Sequence, residues 1–279
     1  MVDNAVVAGR VGLIGFPFDR NSSFMRGAAQ APPAIRAALH SESSNLWSEE
    51  GVDLGRPGMI EDFGDLEPFI PDPERAIEEA VEGLLRRGVA PICLGGDHSV
   101  TYPIVRACGR RSPELTVLHF DAHSDTYDLY QANRLSHACP FARIMEEGAA
   151  ARLIQVGLRT MTDEHRSQIR RFGIEVVEMK DWPASLAFDL GGPVYVSIDL
   201  DVLDPAFAPG VAHPEPGGCS TRQLLEAIQR LAAPVIGVDL VEFNPLRDSQ
   251  GTTAMVCAKI VKETASAILR NGRQAGTEP

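Results

Sequence analysis

The chain has 279 residues, of which 44% are apolar and 23% charged, proportions typical of a soluble protein with an ample core. Its formal net charge of −12 argues against a nucleic-acid-binding protein and mildly favours small cationic ligands. The five cysteines are scattered without a CxxC pair and no apolar run approaches the ~20 residues of a membrane span, so we expect free thiols, a cytoplasmic location and no membrane partner.

Apolar segments that predict strands alternate along the chain with amphipathic segments that predict helices. RVGLIGF opens the series as a strand, and APPAIRAALH follows as a helix that begins with prolines. PERAIEEAVEGLLRRG has apolar residues at helical spacing, basic residues in its last turn and Gly88 as a stop signal. Later strands are predicted at 89–96, 115–120, 152–158, 174–179, 193–200 and 234–243, and later helices at 99–109, 140–148, 163–173, 220–232 and 252–270.

The order of these elements predicts the fold class and the number of domains. Strands that lack polar alternation and are separated by helices indicate a parallel sheet covered on both faces, an α/β fold. No repeat, low-complexity tract or Pro/Ser-rich linker interrupts the sequence, so we expect one domain over residues 1–270. The last residues, 271–279, are expected to form a loose tail. The N-terminal segment lacks a basic start followed by a long apolar core, so no signal peptide is expected.

Four predicted strands run into clusters of acidic residues and histidines, in the segments ICLGGDH, VLHFDAHSD, VYVSIDLD and VIGVDLVE. Ligands of open parallel sheets bind beyond the carboxyl ends of the strands. Residues two apart in an extended segment point the same way, so Asp121, His123 and Asp125 are expected to face one centre. The candidate metal ligands are His98, Asp121, His123, Asp125, Asp199 and Asp201.

The charge of this set predicts how many cations it binds. Four carboxylates with two neutral imidazoles bring a charge of about −4 into a largely buried place, which is prohibitive unless cations compensate it. Two divalent cations neutralise all of it, and six ligands are so few for two cations that some carboxylates should bridge. Oxygen-rich ligation with two imidazoles and no thiolate favours Mn²⁺ over structural zinc, with Ni²⁺ or Co²⁺ left open.

For other polar residues near these strand ends, a purely structural role is as well supported as a role in the site, or better supported. Asp204 precedes a proline and is expected to form a turn, whereas Asp97 is equally compatible with a helix cap and with a ligand. His119 lies inside a strand and is expected to be a core histidine. His213 lines the mouth of the site or merely orders a loop, and His165 is expected to be a solvated helix residue.

The four segments LGGDHSVTYP, HFDAHSDTYD, SIDLDVLDPAFAPG and GVDLVEFNP resemble, in order, the signature segments of the ureohydrolase family, the manganese enzymes that include arginases and agmatinases. NSSFMRGAAQAPPAIRAAL, RLSHACPFARIMEEG and FNPLRDSQGTTAMVCAKIVKE are similar to plant-type arginases and their bacterial relatives. The resemblance covers nearly the whole chain. It implies a three-layer α/β/α fold with a mainly parallel central sheet, assembled as a homotrimer or homohexamer.

The resemblance also implies a binuclear manganese hydrolase that cleaves a small guanidino compound to urea and an amine. In the family pattern Asp121 and Asp199 bridge two Mn²⁺ ions per chain. His137 matches the mobile histidine that shuttles protons, and Glu242 matches the carboxylate that grips the guanidinium. Asp125 is counted among the catalytic residues because it would hold a metal ion in position. One ion then has the ligands His98, Asp121, Asp125 and Asp199, and the other has Asp121, His123, Asp199 and Asp201.

The substrate remains open between two main candidates. Ala138-Cys139 and VAHPEPGG differ from the agmatinase pattern in the two loops that border the substrate. Asn133, Ser136 and His213 are candidate donors for an α-carboxylate, so L-arginine, hydrolysed to L-ornithine, is the expected substrate. Agmatinase, or another hydrolase of guanidino acids or guanidine, is the alternative. A one-zinc deacetylase and a non-catalytic family member are less compatible with the full set of motif residues.

Overall fold

The computed structural model describes residues 10–182 and 188–275, in which strands and helices alternate except between the sixth and seventh strands. The strands are β1 Arg10–Gly15, β2 Ile60–Asp65, β3 Val89–Leu94, β4 Thr116–Phe120, β5 Arg152–Leu158, β6 Glu175–Glu178, β7 Val194–Asp199 and β8 Val235–Val241. The helices are α1 Ala31–Leu39, α2 Pro73–Arg86, α3 Thr101–Arg111, α4 Pro140–Glu146, α5 Asp163–Phe172, α6 Thr221–Gln229 and α7 Thr252–Ala275.

All eight strands form one sheet in the order β2-β1-β3-β8-β7-β4-β5-β6, and every neighbouring pair is parallel. Helices α1, α6 and α7 pack on one face, and α2, α3 and α4 pack on the other. The predicted three-layer α/β/α fold is therefore confirmed, with a sheet that is entirely parallel over the described residues. The prediction of one domain stays a prediction.

Strand β2 is the element that sequence patterning missed. Its residues, IEDFGD, are largely exposed because it pairs only with β1 at the edge of the sheet. An edge strand needs no continuous apolar run, so its sequence resembles a loop.

The last helix extends beyond the predicted start of the loose tail. Helix α7 continues to Ala275, and the buried amide of Asn271 donates to the carbonyls of Leu231 and Ala233 at 3.1 and 2.7 Å. Residues 276–279 lie outside the described part of the chain. Within that part, none of the helices combines the length and the apolar composition that crossing a bilayer requires.

Candidate metal centre

The four polar clusters that follow β3, β4, β7 and β8 lie side by side. These strands are contiguous in the sheet although they are far apart in sequence. Their carboxyl ends therefore open onto one region at the middle of the sheet, the usual ligand position of an open parallel sheet.

The first group of side chains surrounds one ring nitrogen of His98. Its Nδ1 atom lies 3.1–3.2 Å from three carboxylate oxygens, which belong to Asp121, Asp125 and Asp199. Within the described residues, this buried nitrogen makes no hydrogen bond of acceptable geometry. The other ring nitrogen, Nε2, lies 3.1 Å from Ser197 Oγ, which donates to the buried carboxylate of Asp239 at 2.8 Å. The ring is thus held through Nε2, and Nδ1 faces the oxygens.

The second group surrounds His123. Its Nδ1 atom lies 2.9 Å from Oδ2 of Asp201 and 3.4 Å from Oδ1 of Asp121. Asp121 therefore belongs to both groups, with one oxygen directed to each. Asp199 has one oxygen in the first group, while its Oδ1 accepts the backbone N–H of Asp201 at 2.8 Å. A bridge by Asp199 stays a prediction.

Asp121, His123 and Asp125 were expected to lie in one extended segment, and the structure corrects that expectation. Strand β4 ends at Phe120, and Asp125 lies beyond it with a φ of 50°, in the left-handed region. Asp125 turns towards His98 because of this conformation, not because of strand alternation. Glu242 also has a left-handed backbone, with a φ of 62°. Such conformations cost roughly 1–3 kcal/mol and persist where the surrounding structure enforces them.

The electrostatics of the cluster favour positive charge. Burial and the neighbouring Asp201 and Asp121 raise the pKa of Asp199 well above its ordinary value. Burial and Asp121 raise the pKa of Asp201 to about 6. Burial opposes a charge on His98, yet the surrounding carboxylates raise its pKa well above the usual value. Carboxylates at such short separations cannot all remain ionised without a compensating cation.

The donor set fits divalent metal ions. The unpartnered nitrogen of His98 faces three carboxylate oxygens at the separations expected between ligands of one ion, whose bonds are about 2.0–2.2 Å long. The two groups share Asp121, and together they contain oxygen and imidazole donors without a thiolate. This chemistry suits Mn²⁺ and similar ions.

His137 lies above the cluster between two partners. Its Nδ1 atom donates to Oε1 of Glu242 at 3.0 Å, and its Nε2 atom lies 2.8 Å from Oγ of Ser23. Burial opposes protonation of His137, but the negative charges of Glu242, Asp125 and Asp97 outweigh it and raise its pKa to about 9. The ring therefore holds a proton over the acidic cluster.

A cavity of about 200 Å³ opens over both groups. His213 lines it, with its ring centroid 5.1 Å from that of His137, so the structure favours the mouth of the site over a loop-ordering role for His213. Sequence reasoning missed several other residues of the lining. These are Ser23, Tyr127, Tyr130, Thr160, Thr162, His165 and Glu215. They lie in loops and at helix starts with no metal-ligand spacing to mark them.

Two predicted substrate contacts, Asn133 and Ser136, are not among the residues that line this cavity, and their role in binding substrate stays a prediction. The Asn133 amide donates to Asn21 Oδ1 at 3.0 Å and accepts the N–H of Leu135 at 2.9 Å, so it braces the loop. Ser136 is buried and lines a separate small cleft.

The structure also shows the surroundings of three residues for which a structural role was considered, His165, Asp204 and Asp97. His165 is buried, not solvated, because the capping box at the start of α5 turns its ring inwards against Tyr127, with centroids 4.1 Å apart. Asp204 forms the expected turn by accepting the N–H groups of Ala206 and Gly217. Asp97 caps a short 3-10 helix by accepting the N–H of Ser99, and its other oxygen accepts that of Asn21.

Comparison with known proteins identifies similar chains. The sequence model described as "Arginase family" matches residues 9–266. The chain is 47% identical to the Arabidopsis thaliana protein "Arginase 1, mitochondrial" over 274 residues, which cover 92% of this chain and 80% of the relative. It is 38% identical to a guanidinopropionase of Pseudomonas aeruginosa, covering 91% and 85% of the two chains. The structure of an arginase from Medicago truncatula superposes with a TM-score of 0.85 at 40% identity, covering 94% of this chain and 88% of that one.

The predicted cytoplasmic location is contradicted by these relatives. The Arabidopsis thaliana protein is mitochondrial by name, and so is a similar arginase of Medicago truncatula. Free buried thiols, on which the prediction rested, are compatible with any reducing compartment and do not distinguish one from another.

Proposed function

Because the chain belongs to the arginase family and is a hydrolase of guanidino C–N bonds, we propose that it converts L-arginine and water to L-ornithine and urea. The observation that carries the proposal is the pair of His/Asp groups that share Asp121 beneath a cavity lined by His137 and Glu242. The 47% identity to a plant arginase supports arginine as the substrate.

The proposed cofactor is a pair of Mn²⁺ ions. The family has a binuclear metal site, and the shared Asp121, the oxygen-rich donors and the unpartnered His98 nitrogen support two ions in this chain. When bound, such ions make water acidic enough to serve as a nucleophile near neutral pH. The proposed ligands are His98, Asp121, His123, Asp125, Asp199 and Asp201.

The remaining steps are proposed for Glu242 and His137. The Glu242 carboxylate would accept paired N–H bonds from the guanidinium and so orient its carbon for attack from the side of the ligand cluster. Because His137 Nδ1 donates to Oε1 of Glu242, the guanidinium would share this carboxylate with the His137 ring. His137 would then give its proton to the departing amine, because the C–N bond breaks only when that nitrogen is protonated.

A panel of substrates tests the identity of the amine half. The Mn²⁺-loaded protein is assayed for urea release from L-arginine, agmatine, 4-guanidinobutyrate, 3-guanidinopropionate and guanidine. We expect the highest kcat/KM for L-arginine. A preference of tenfold or more for agmatine would overturn the arginine proposal in favour of an agmatinase. A preference for 3-guanidinopropionate would favour the activity for which the Pseudomonas aeruginosa relative is named.

The chain is also proposed to assemble as a homotrimer or homohexamer. Exposed apolar side chains support an interface, namely Phe207, Leu246 and Met255. The segments that carry them are joined by hydrogen bonds, since Asn244 N donates to Gly210 O at 2.7 Å and Gly210 N donates to Thr253 Oγ1 at 2.8 Å. Light scattering of the purified protein tests the assembly, and a monomer at micromolar concentration would overturn it.

A further inference from the structure

His119 is a buried histidine that makes its contacts within the sheet beneath the candidate metal centre. Strand register sets it directly beside Gln155 of β5 on one side and Ser197 of β7 on the other. Its ring is fully buried and stacks on Phe141 with centroids 3.9 Å apart. A buried polar ring requires hydrogen-bond partners, and those of His119 connect it to Gln155 and Asp121.

The hydrogen bonds around Gln155 determine where His119 holds its proton. The amide nitrogen of Gln155 donates to the backbone carbonyl of Ser124 at 2.6 Å, and the amide oxygen accepts from Ser124 Oγ at 2.8 Å. A carbonyl only accepts, so these contacts fix the orientation of the amide. The same nitrogen lies 3.1 Å from Nδ1 of His119 and therefore donates to it. Nδ1 is the acceptor, and the proton is on Nε2.

The Nε2–H group of His119 meets the shared carboxylate of the metal centre. It donates to Oδ2 of Asp121 at 2.8 Å, while the backbone N–H of His123 donates to Oδ1 at 2.6 Å. Each oxygen of Asp121 thus accepts one hydrogen bond. Both nitrogens of His119 are engaged, in contrast to the unpartnered Nδ1 of His98, so His119 is not available as a ligand.

From this geometry we infer that His119, with its proton fixed on Nε2 by Gln155, is a positioning residue that sets the rotation of Asp121, so that one carboxylate oxygen faces the ligand group around His98 and the other faces the group around His123. The inference rests on the proposed binuclear site. The two donors fix the plane of the Asp121 carboxylate, because rotating it about the Cβ–Cγ bond would break both hydrogen bonds and turn each oxygen away from its ligand group. Ligand orientation by such partners typically contributes 10- to 100-fold to metal affinity.

Three variants of the full chain separate positioning from packing. His119→Phe keeps an aromatic ring against Phe141 but removes the donor, whereas His119→Gln retains an N–H group near the position of Nε2. Asn271→Leu removes a buried amide that donates to two carbonyls far from the site and serves as the matched control. Each protein is loaded with Mn²⁺ and passed through gel filtration. Bound manganese is then measured per chain, together with the electron paramagnetic resonance spectrum.

We expect two ions and the spectrum of an exchange-coupled pair for the wild type, for His119→Gln and for Asn271→Leu. In His119→Phe the more weakly held ion should bind roughly 10- to 100-fold less tightly, and the coupled spectrum should be replaced by that of isolated Mn²⁺. If His119→Phe does not fold, Gln155→Met replaces it, since it keeps the ring and removes the group that fixes the proton; the same loss of coupling is expected.

Two results would overturn the inference. One is a coupled pair with wild-type affinity in His119→Phe or, where that variant does not fold, in Gln155→Met. The other is equal loss of metal in His119→Phe and His119→Gln, which would show that the donor itself is unimportant. A wild-type protein that binds fewer than two ions would instead overturn the proposed binuclear site on which the inference depends.

Discussion

Oε1 of Glu242 accepts two hydrogen bonds, one from the ring Nδ1 of His137 at 3.0 Å and one from the backbone N–H of His98 at 2.9 Å. The same oxygen thus connects the proposed proton donor to the backbone of a proposed metal ligand. Because the side chain of Glu242 is buried and its backbone is left-handed, its position is enforced by the surrounding structure. The predictions below begin from this contact.

Glu242→Gln removes the charge that the guanidinium is proposed to meet. We expect kcat/KM for L-arginine to fall roughly 10²–10³-fold, the usual cost of losing one partner of a buried charge pair. Manganese content should remain at two ions per chain, since Glu242 is not a proposed ligand. Steady-state urea assays and metal analysis check both parts, and loss of metal from the variant would contradict the assigned role.

His137→Ala removes a proton donor without removing a ligand. Turnover should fall by roughly 10²–10⁴-fold, the range of general acid–base catalysis, while both ions stay bound. The measurement is kcat between pH 7 and 9.5 on fully loaded protein. The role is wrong if turnover is unchanged over that range, or if the variant loses its metals.

The raised pKa of His137 predicts how the stability of the metal-free protein depends on pH. The folded pKa of about 9 lies above the unfolded value of about 6.5, so protonation of His137 stabilises the fold fully below pH 6.5. That contribution, on the order of 3 kcal/mol, is lost as pH rises through 9. Urea unfolding of wild type and His137→Gln should therefore show a stability difference that declines over this window. A difference that does not change with pH would contradict the shift.

Asp199→Asn should separate stability from metal binding. Because burial and neighbouring carboxylates raise the pKa of Asp199, either ionising or protonating this group costs free energy in the metal-free fold above the ordinary pKa of an aspartate. We expect a higher Tm without metal than in the wild type, and loss of most of the Tm increase that Mn²⁺ gives. The control is Asp204→Asn, an aspartate of an ordinary turn, which should respond to Mn²⁺ like the wild type. A lower metal-free Tm for Asp199→Asn would count against the argument.

Gly96→Ala tests the close packing behind the site. A Cβ atom at this position would lie 1.8 Å from the carbonyl oxygen of Phe18, so the backbone before Asp97 must shift. Overpacking of this kind costs typically 1–3 kcal/mol or more, and metal affinity should fall with it. Gly83→Ala is the matched control, since its Cβ meets nothing within 4 Å, and replacing a helix glycine should stabilise by about 1 kcal/mol. Differential scanning fluorimetry with and without Mn²⁺ measures both effects.

The sequence determined the fold class and the identity of the acidic and histidine residues at the strand ends. Buried parallel strands require continuous apolar runs, so the six interior strands of the described sheet were readable. The edge strand β6 keeps two adjacent valines and was also readable, whereas the edge strand β2, IEDFGD, has no such apolar pair. Charged residues at the ends of apolar strands are conspicuous in the sequence. Burying them is costly, so their presence predicts a compensating partner such as a metal ion.

Tertiary structure decided how those residues meet. Residues after β3, β4, β7 and β8 come together because sheet order places these four strands next to one another, and order is set by packing that no single segment encodes. Contacts between distant segments likewise decided the left-handed turn at Asp125, the inward rotation of His165 and the packing of Asn133 against Asn21. His119 looked like an ordinary core histidine until strand register set it between Gln155 and Asp121. Local sequence limits which side chains are available, and only the three-dimensional contacts between distant segments fix their directions.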